Sequence, residues 1–199
     1  MTPPDEHEWV DLGLPSGTLW ATCNVGASSP EEKGDYFAWG ETTPKDYYDW
    51  SNYKWCNGSD STLTKYCNNS DCGYNGFVDN KMELDPEDDA AYVNWGPSWR
   101  MPTKEQQDEL REYCTIELGY KGYLVTGPNG NTLFFPCSGY RYHDTLYVID
   151  SEAIHQSRAL NSSNPCRTYA LNFIQNYFNW CAIDRFHGMT VRAVRVSQN

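Results

Sequence analysis

A chain of 199 residues with 39% hydrophobic side chains is long enough to bury a core as one domain. Its 27 acidic against 15 basic residues, net −12, argue against nucleic acid, because neutralising phosphates needs a continuous basic surface. A mean hydropathy of −0.73 without a long apolar run excludes a membrane-spanning helix and direct insertion.

In chain order, 1–7 reads as a flexible segment and 8–199 as a single domain, in which aromatic residues at 15% supply much of the core. Strands are predicted at 8–12 and 18–25, separated by the turn residues Pro15, Ser16 and Gly17. A short helix is predicted to start at Ser28, with Pro30 early and Glu31 and Glu32 on its first turn, ending at Gly34. Residues 35–39 read as extended, and 40–80, rich in Asp, Asn, Ser, Gly, Tyr and Trp, as a long loop held by its own rings. A second short helix opens at 85–89 and runs toward Tyr92. The clearest helix follows Pro102: Thr103 caps it, Gln106 completes a capping box, and Leu110, Tyr113 and Cys114 share a face. Strands follow at 122–126, 132–135 and 146–149, then at 169–173, where Tyr169, Leu171 and Phe173 alternate with smaller residues. Another begins at Asn179 and Trp180, and a last one covers 190–196. Helices early and short strands late predict an α+β fold.

The last 47 residues, 153–199, contain neither lysine nor glutamate, although both are frequent before them. Charge divides at the same place: 1–152 carries net −16, while 153–199 carries five arginines against Asp184. An ordinary charged fraction is about 25%, so a complete absence of two of its commonest members points to a restriction on codons. Cys166, Arg167, Ile174, Asn176, Tyr177, Phe178, Cys181, Ala182, Ile183, Asp184, Phe186 and His187 can all be written with a codon ending in C. Lys, Glu, Gln, Met and Trp cannot. AAC codons randomised at both adenines yield that alphabet. Ile154 and His155 extend the set on its left side, where the border is least defined.

The string EWVDLGLPSGTLWATCNVGASSPEEKGDYFAWGE, with NWGPSWRMPTKEQQDEL further on, resembles a domain of gut Bacteroidetes and their phages in the formylglycine-generating-enzyme branch of the C-type lectin fold. The tail LNSSNPCRTYALNFIQNYFNWCAIDRFHGMTVRAVRV resembles the variable region of proteins diversified by retroelements, in which an error-prone reverse transcriptase rewrites adenines. Together they imply a C-type lectin-like domain over 8–199, with two or three short helices, several short antiparallel strands and long aromatic-rich loops, and 153–199 as its variable region. The resemblance also implies a fixed frame: Asn161, Asn164, Pro165, Tyr169, Leu171, Asn172, Phe173, Trp180, Arg185, Gly188, Val191, Arg192 and Arg195.

The resulting expectation is a non-enzymatic receptor or adhesin, monomeric, in which these fourteen positions from Ile154 to His187 contact an unknown protein or surface ligand. Rigid rings beside Asn, Ser and Arg are the composition of such a surface. No signal peptide opens the chain, so a cell-surface, secreted or phage-particle location supposes an export signal outside it. One alternative is carbohydrate binding through the loop rings Tyr47, Tyr48, Trp50, Tyr53 and Trp55, although no EPN, QPD or WND triplet occurs. A formylglycine-generating-type oxidase is the other; it needs reactive paired cysteines, and the tail offers only Cys166 and Cys181, at positions assigned to randomisation. No cofactor is expected. Asp79, Asp85, Glu87, Asp88 and Asp89 could supply oxygen ligands to a structural calcium ion, at a spacing that matches no EF-hand. The eight cysteines include no C-x-x-C pair and the four histidines are scattered, which disfavours zinc; disulfides and free thiols both stay open.

Overall fold

The computed structural model describes residues 7–175 and 177–195. Apart from His7, whose ring stacks on Trp95 at 3.8 Å, the segment expected to be flexible lies outside the described residues. The chain begins with β1 (Trp9–Asp11) and β2 (Leu19–Ala21), antiparallel across the Pro15 to Gly17 turn. A long connection with three short 3-10 turns leads to α1 (Ala90–Trp95), β3 (Trp99–Arg100) and α2 (Lys104–Tyr113). The remaining strands are β4 (Thr115–Gly119), β5 (Gly122–Thr126), β6 (Thr132–Pro136), β7 (Tyr140–Tyr142), β8 (Thr145–Tyr147), β9 (Glu152–Leu160), β10 (Arg167–Ile174), β11 (Tyr177–Asp184) and β12 (Val194–Arg195).

They form four small antiparallel sheets, ordered β1-β2-β12-β3, β11-β10-β9, β4-β5-β6 and β7-β8. β12 inserts between β2 and β3, so the end of the described chain closes the sheet that its beginning opened. The main core lies between the β4-β5-β6 and β9-β10-β11 sheets under α2, with Leu110, Tyr123, Val125, Phe135, Leu171 and Phe173 buried together. A second core holds Trp39, Tyr66 and Trp99 beneath the long connection.

The α+β expectation, and the C-type lectin fold with it, is corrected to a mainly β fold, 35% strand against 13% helix. The helix expected at 28–32 is a turn. There the Glu32 carboxylate accepts from the Ser28 amide (2.8 Å) and hydroxyl (2.9 Å), and Gly34 takes φ +74° with the Val25 carbonyl where a Cβ would sit. The element at 85–92 splits into a 3-10 turn and six residues of α1, because Asp89 caps a fresh start by accepting from the Ala91 and Tyr92 amides. Of the expected helices α2 forms with Thr103 and Gln106 making their capping box, but it ends at Tyr113: Cys114, expected on its face, is the C-cap, and the chain passes straight into β4. Among strands, the expected 146–149 stops at Tyr147 because Val148 turns to φ +47°. β9 lies where no strand was predicted.

Candidate functional site

The tail becomes a sheet because β10 alternates: with Arg167 opposite Asp184 and Ile174 opposite Tyr177, every second pair faces the same way. One face carries Leu171 and Phe173, whose ring meets Phe135 at 4.7 Å and Tyr123 at 5.6 Å. Trp180, on the same face, donates its indole N–H to Asp108 of α2 (2.8 Å). Buried arginines anchor the chain beyond the sheet. Arg185 donates to the Tyr53 hydroxyl and to the carbonyls of Tyr66, Pro165 and Lys65, all at 2.9–3.0 Å. Arg192 donates to Asn24 Oδ1 (2.8 Å) and to three backbone carbonyls.

Two adjoining clefts open to solvent beside the sheet. The first, about 330 Å³, is lined by Tyr140, Glu152, Ile154, Arg167, Asn172, Cys181, Ala182, Ile183, Asp184 and His187. The second, about 530 Å³, shares Tyr140, Asp184 and His187 with it and adds Trp50, Tyr142, Tyr147 and Phe186. Its rings are stacked: Tyr140 on Tyr147 at 5.7 Å, Tyr142 between His143 (4.0 Å) and His187 (5.3 Å), and Phe186 on His187 at 4.2 Å. Gly188 permits this arrangement, since a Cβ there would lie 2.7 Å from the Tyr48 ring. Arg167 pairs with Asp184 at 3.0 Å across the shared wall. Burial lowers the His187 pKa, partly opposed by its contact with the Asp184 carbonyl, so the ring is neutral at pH 7.

The expected contact residues divide by burial. Arg167, Cys181, Ala182, Ile183, Asp184 and His187 meet around the first cleft, and Phe186 borders the second although its side chain is 4% exposed. Ile154 reaches the first cleft from a buried cluster with Ala170 and Met189. Tyr177 and Phe178 lie apart, lining a cleft of about 470 Å³ with Arg111, Cys114, Thr115 and Ile116; Phe178 also packs on Phe173. Ile174 is half-buried at the end of the hairpin, and Asn176 lies outside the described residues. His155 and Cys166 are interior. The His155 ring sits against Phe135 and Phe173 with Nε2 unpartnered, while the Cys166 thiol donates to the Asp60 carbonyl at 3.1 Å.

Sequence reasoning missed the opposing wall. The clue was Y-R-Y-H at 140–143: rings two apart lie on one strand face, and Tyr140 and Tyr142 do. Of the loop rings, Tyr48 and Tyr53 are buried and Tyr47 is exposed.

The thiols and acids expected to carry other chemistry are engaged elsewhere. Burial pushes the Cys166 and Cys181 thiols up to about 12, with a hydrogen bond to Cys72 adding to the rise at Cys166. Asp85 is paired with Lys65 and Lys81, and Asp88 with Lys54, Lys65 and the Tyr66 hydroxyl. Asp89 accepts from three backbone amides, and Asp79 from those of Tyr66, Cys67 and Lys81. Among the described residues no three His, Cys, Asp or Glu side chains are grouped to hold a metal ion. No family model matches this chain, and neither a curated protein nor a solved structure matches it.

Proposed function

We propose that the chain is a non-enzymatic receptor or adhesin that binds a protein or surface ligand on the β9-β10-β11 sheet, in clefts whose side chains are diversified by retroelement-directed adenine mutagenesis. One observation carries the reading. In a segment without lysine or glutamate, the residues writable with a C-ending codon include Arg167, Cys181, Ala182, Ile183, Asp184 and His187, which line a single cleft. Diversification is useful only where side chains meet a partner and the frame is indifferent to them. Ala182 and Arg167 are exposed, whereas Leu171, Phe173, Arg185 and Arg192 between and beyond them are buried. High thiol pKa values at Cys166 and Cys181 disfavour thiolate chemistry at neutral pH.

The test is the coding DNA. Codons at the diversified positions are expected to end in C, and a near-identical template repeat with AAC at those positions is expected beside a reverse-transcriptase gene. Mixed third bases without a template would remove the retroelement claim. Carbohydrate binding is the second reading, favoured by the exposed rings of Tyr142 and Tyr147 in the aromatic cleft and of Tyr47, which stacks on His143. A glycan array probed with the intact protein separates it from protein binding.

A further inference from the structure

β11 forms one edge of its sheet, and its pairing with β10 runs from Tyr177 to Asp184 without a register shift. The Arg185 amide donates to the Cys166 carbonyl at 3.0 Å, continuing that register by one step. Hydrogen-bonded pairs alternate in an antiparallel ladder, so Tyr177, Asn179, Cys181 and Ile183 direct their backbone groups at β10. Phe178, Trp180 and Ala182 turn theirs outward, and among the described residues no backbone outside the sheet meets them.

Exposed edges are commonly guarded by lysine, proline or a bulge. β11, with the sequence YFNWCAID, has none of these. The other edge of the sheet is closed. There β9 receives hydrogen bonds from Leu84 to the Arg158 carbonyl (3.1 Å) and gives one from Leu160 to the Met82 carbonyl (2.8 Å) and one from Arg158 to the Pro102 carbonyl (2.9 Å). One open edge in this sheet permits a closed pair and forbids a filament built from it.

We propose that β11 pairs antiparallel with β11 of a second copy about a two-fold axis at Trp180, joining two three-stranded sheets into one. Only an extended chain presents alternating donors and acceptors at the spacing this edge requires, and the strand is complementary to itself. Centred on Trp180, outward positions meet outward positions: Phe178 faces Ala182 of the second copy, Trp180 faces its counterpart, and each pair exchanges both N–H···O bonds. A centre midway between two residues would oppose groups already used within the sheet; a centre at Cys181 keeps outward positions paired but sets Phe178 against Asp184, and a centre two residues away shortens the overlap. Phe178 falls opposite the small Ala182, and Tyr177 opposite Ile183. Asp184, the only charge in the strand, passes beyond Tyr177 of the second copy, so no carboxylates meet although the chain carries net −12. The axis stands perpendicular to the sheet, which leaves both Asp184–His187 clefts on the same side as a bivalent face. Main-chain bonds hold the pair, so it tolerates change in the side chains. It replaces the expected monomer and does not depend on how those side chains arose.

Sedimentation equilibrium of the intact chain in reductant, from micromolar to near-millimolar concentration, reads the pairing directly. The mass is expected to rise to twice that of the chain. Ala182→Pro removes an amide that β10 does not use, and is expected to yield a monomer with an unchanged circular dichroism spectrum. Residue-resolved amide exchange supplies a readout that needs no variant. At high concentration Phe178, Trp180 and Ala182 should exchange about tenfold or more slowly than when dilute, whereas Asn179, Cys181 and Ile183 stay protected throughout. A monomer at every concentration, or a dimer whose three outward amides still exchange freely, overturns the proposal. Either result leaves the DNA test of diversification untouched.

Discussion

His155 shows how one buried residue makes the fold pH-dependent. Burial lowers its pKa well below the usual histidine value, with the nearby Arg192 charge acting the same way, so the folded protein keeps the ring neutral. The unfolded chain protonates it near the ordinary value of about 6.5. Below that pH the unfolded state binds the extra proton, so this contribution is fully present above it and is lost as pH falls, at up to about 1.4 kcal/mol per pH unit. Urea unfolding at pH 7 and pH 5 is expected to show the loss, and His155→Leu to reduce it by one proton's worth. Equal slopes in the two proteins would mean the ring is not buried neutral. Arg185 makes the complementary case. Replacing it by methionine takes the donor from three carbonyls and from the Tyr53 hydroxyl, which keeps its own bond to the Trp39 carbonyl, an expected cost of about 3–5 kcal/mol in the same assay.

At the scale of elements, the β10–β11 hairpin holds the buried Phe173 on one face and the exposed Tyr177 on the other. Substituting Tyr177→Ser, 54% exposed, is expected to move stability by no more than about 0.5 kcal/mol, whereas Phe173→Ala in the core should cost about 3–5 kcal/mol. The same experiment sorts the wider set of expected contact positions. Phe186→Asn and Cys166→Asn place unpaired amides among Trp50, Tyr53 or Leu63 and should cost more than about 1 kcal/mol. Arg167→Asn, at an exposed position, should not. A cost at Arg167 equal to that at Phe186 would contradict a division of the tail by burial.

For the whole molecule, the acidic body and the arginine-bearing tail are one cooperative unit because they share anchors. Arg185 of the tail binds carbonyls at Lys65 and Tyr66 in the long connection, and β12 fills the gap between β2 and β3. Unfolding followed by tryptophan fluorescence and by far-ultraviolet circular dichroism is therefore expected to give coincident transitions. A separate early loss of fluorescence would show that the connection melts alone.

The amino-acid sequence determined what local chemistry can determine. Thr103 and Gln106 cap α2, the alternation of Tyr169, Leu171 and Phe173 makes β10, and the restricted alphabet after position 152 marks the segment that the clefts draw on. Those signals rest on neighbours within four residues or on composition, so they survive without three-dimensional context. Tertiary structure decided the rest. It made β9 from residues with no clear period by pairing them with β10, and brought Tyr140, Tyr142 and Tyr147 opposite Asp184 and His187. It also separated Tyr177 and Phe178 from that cleft and placed His155 in the core. Composition marks the segment with the restricted alphabet, but only the packing of distant strands specifies which of its residues reach solvent.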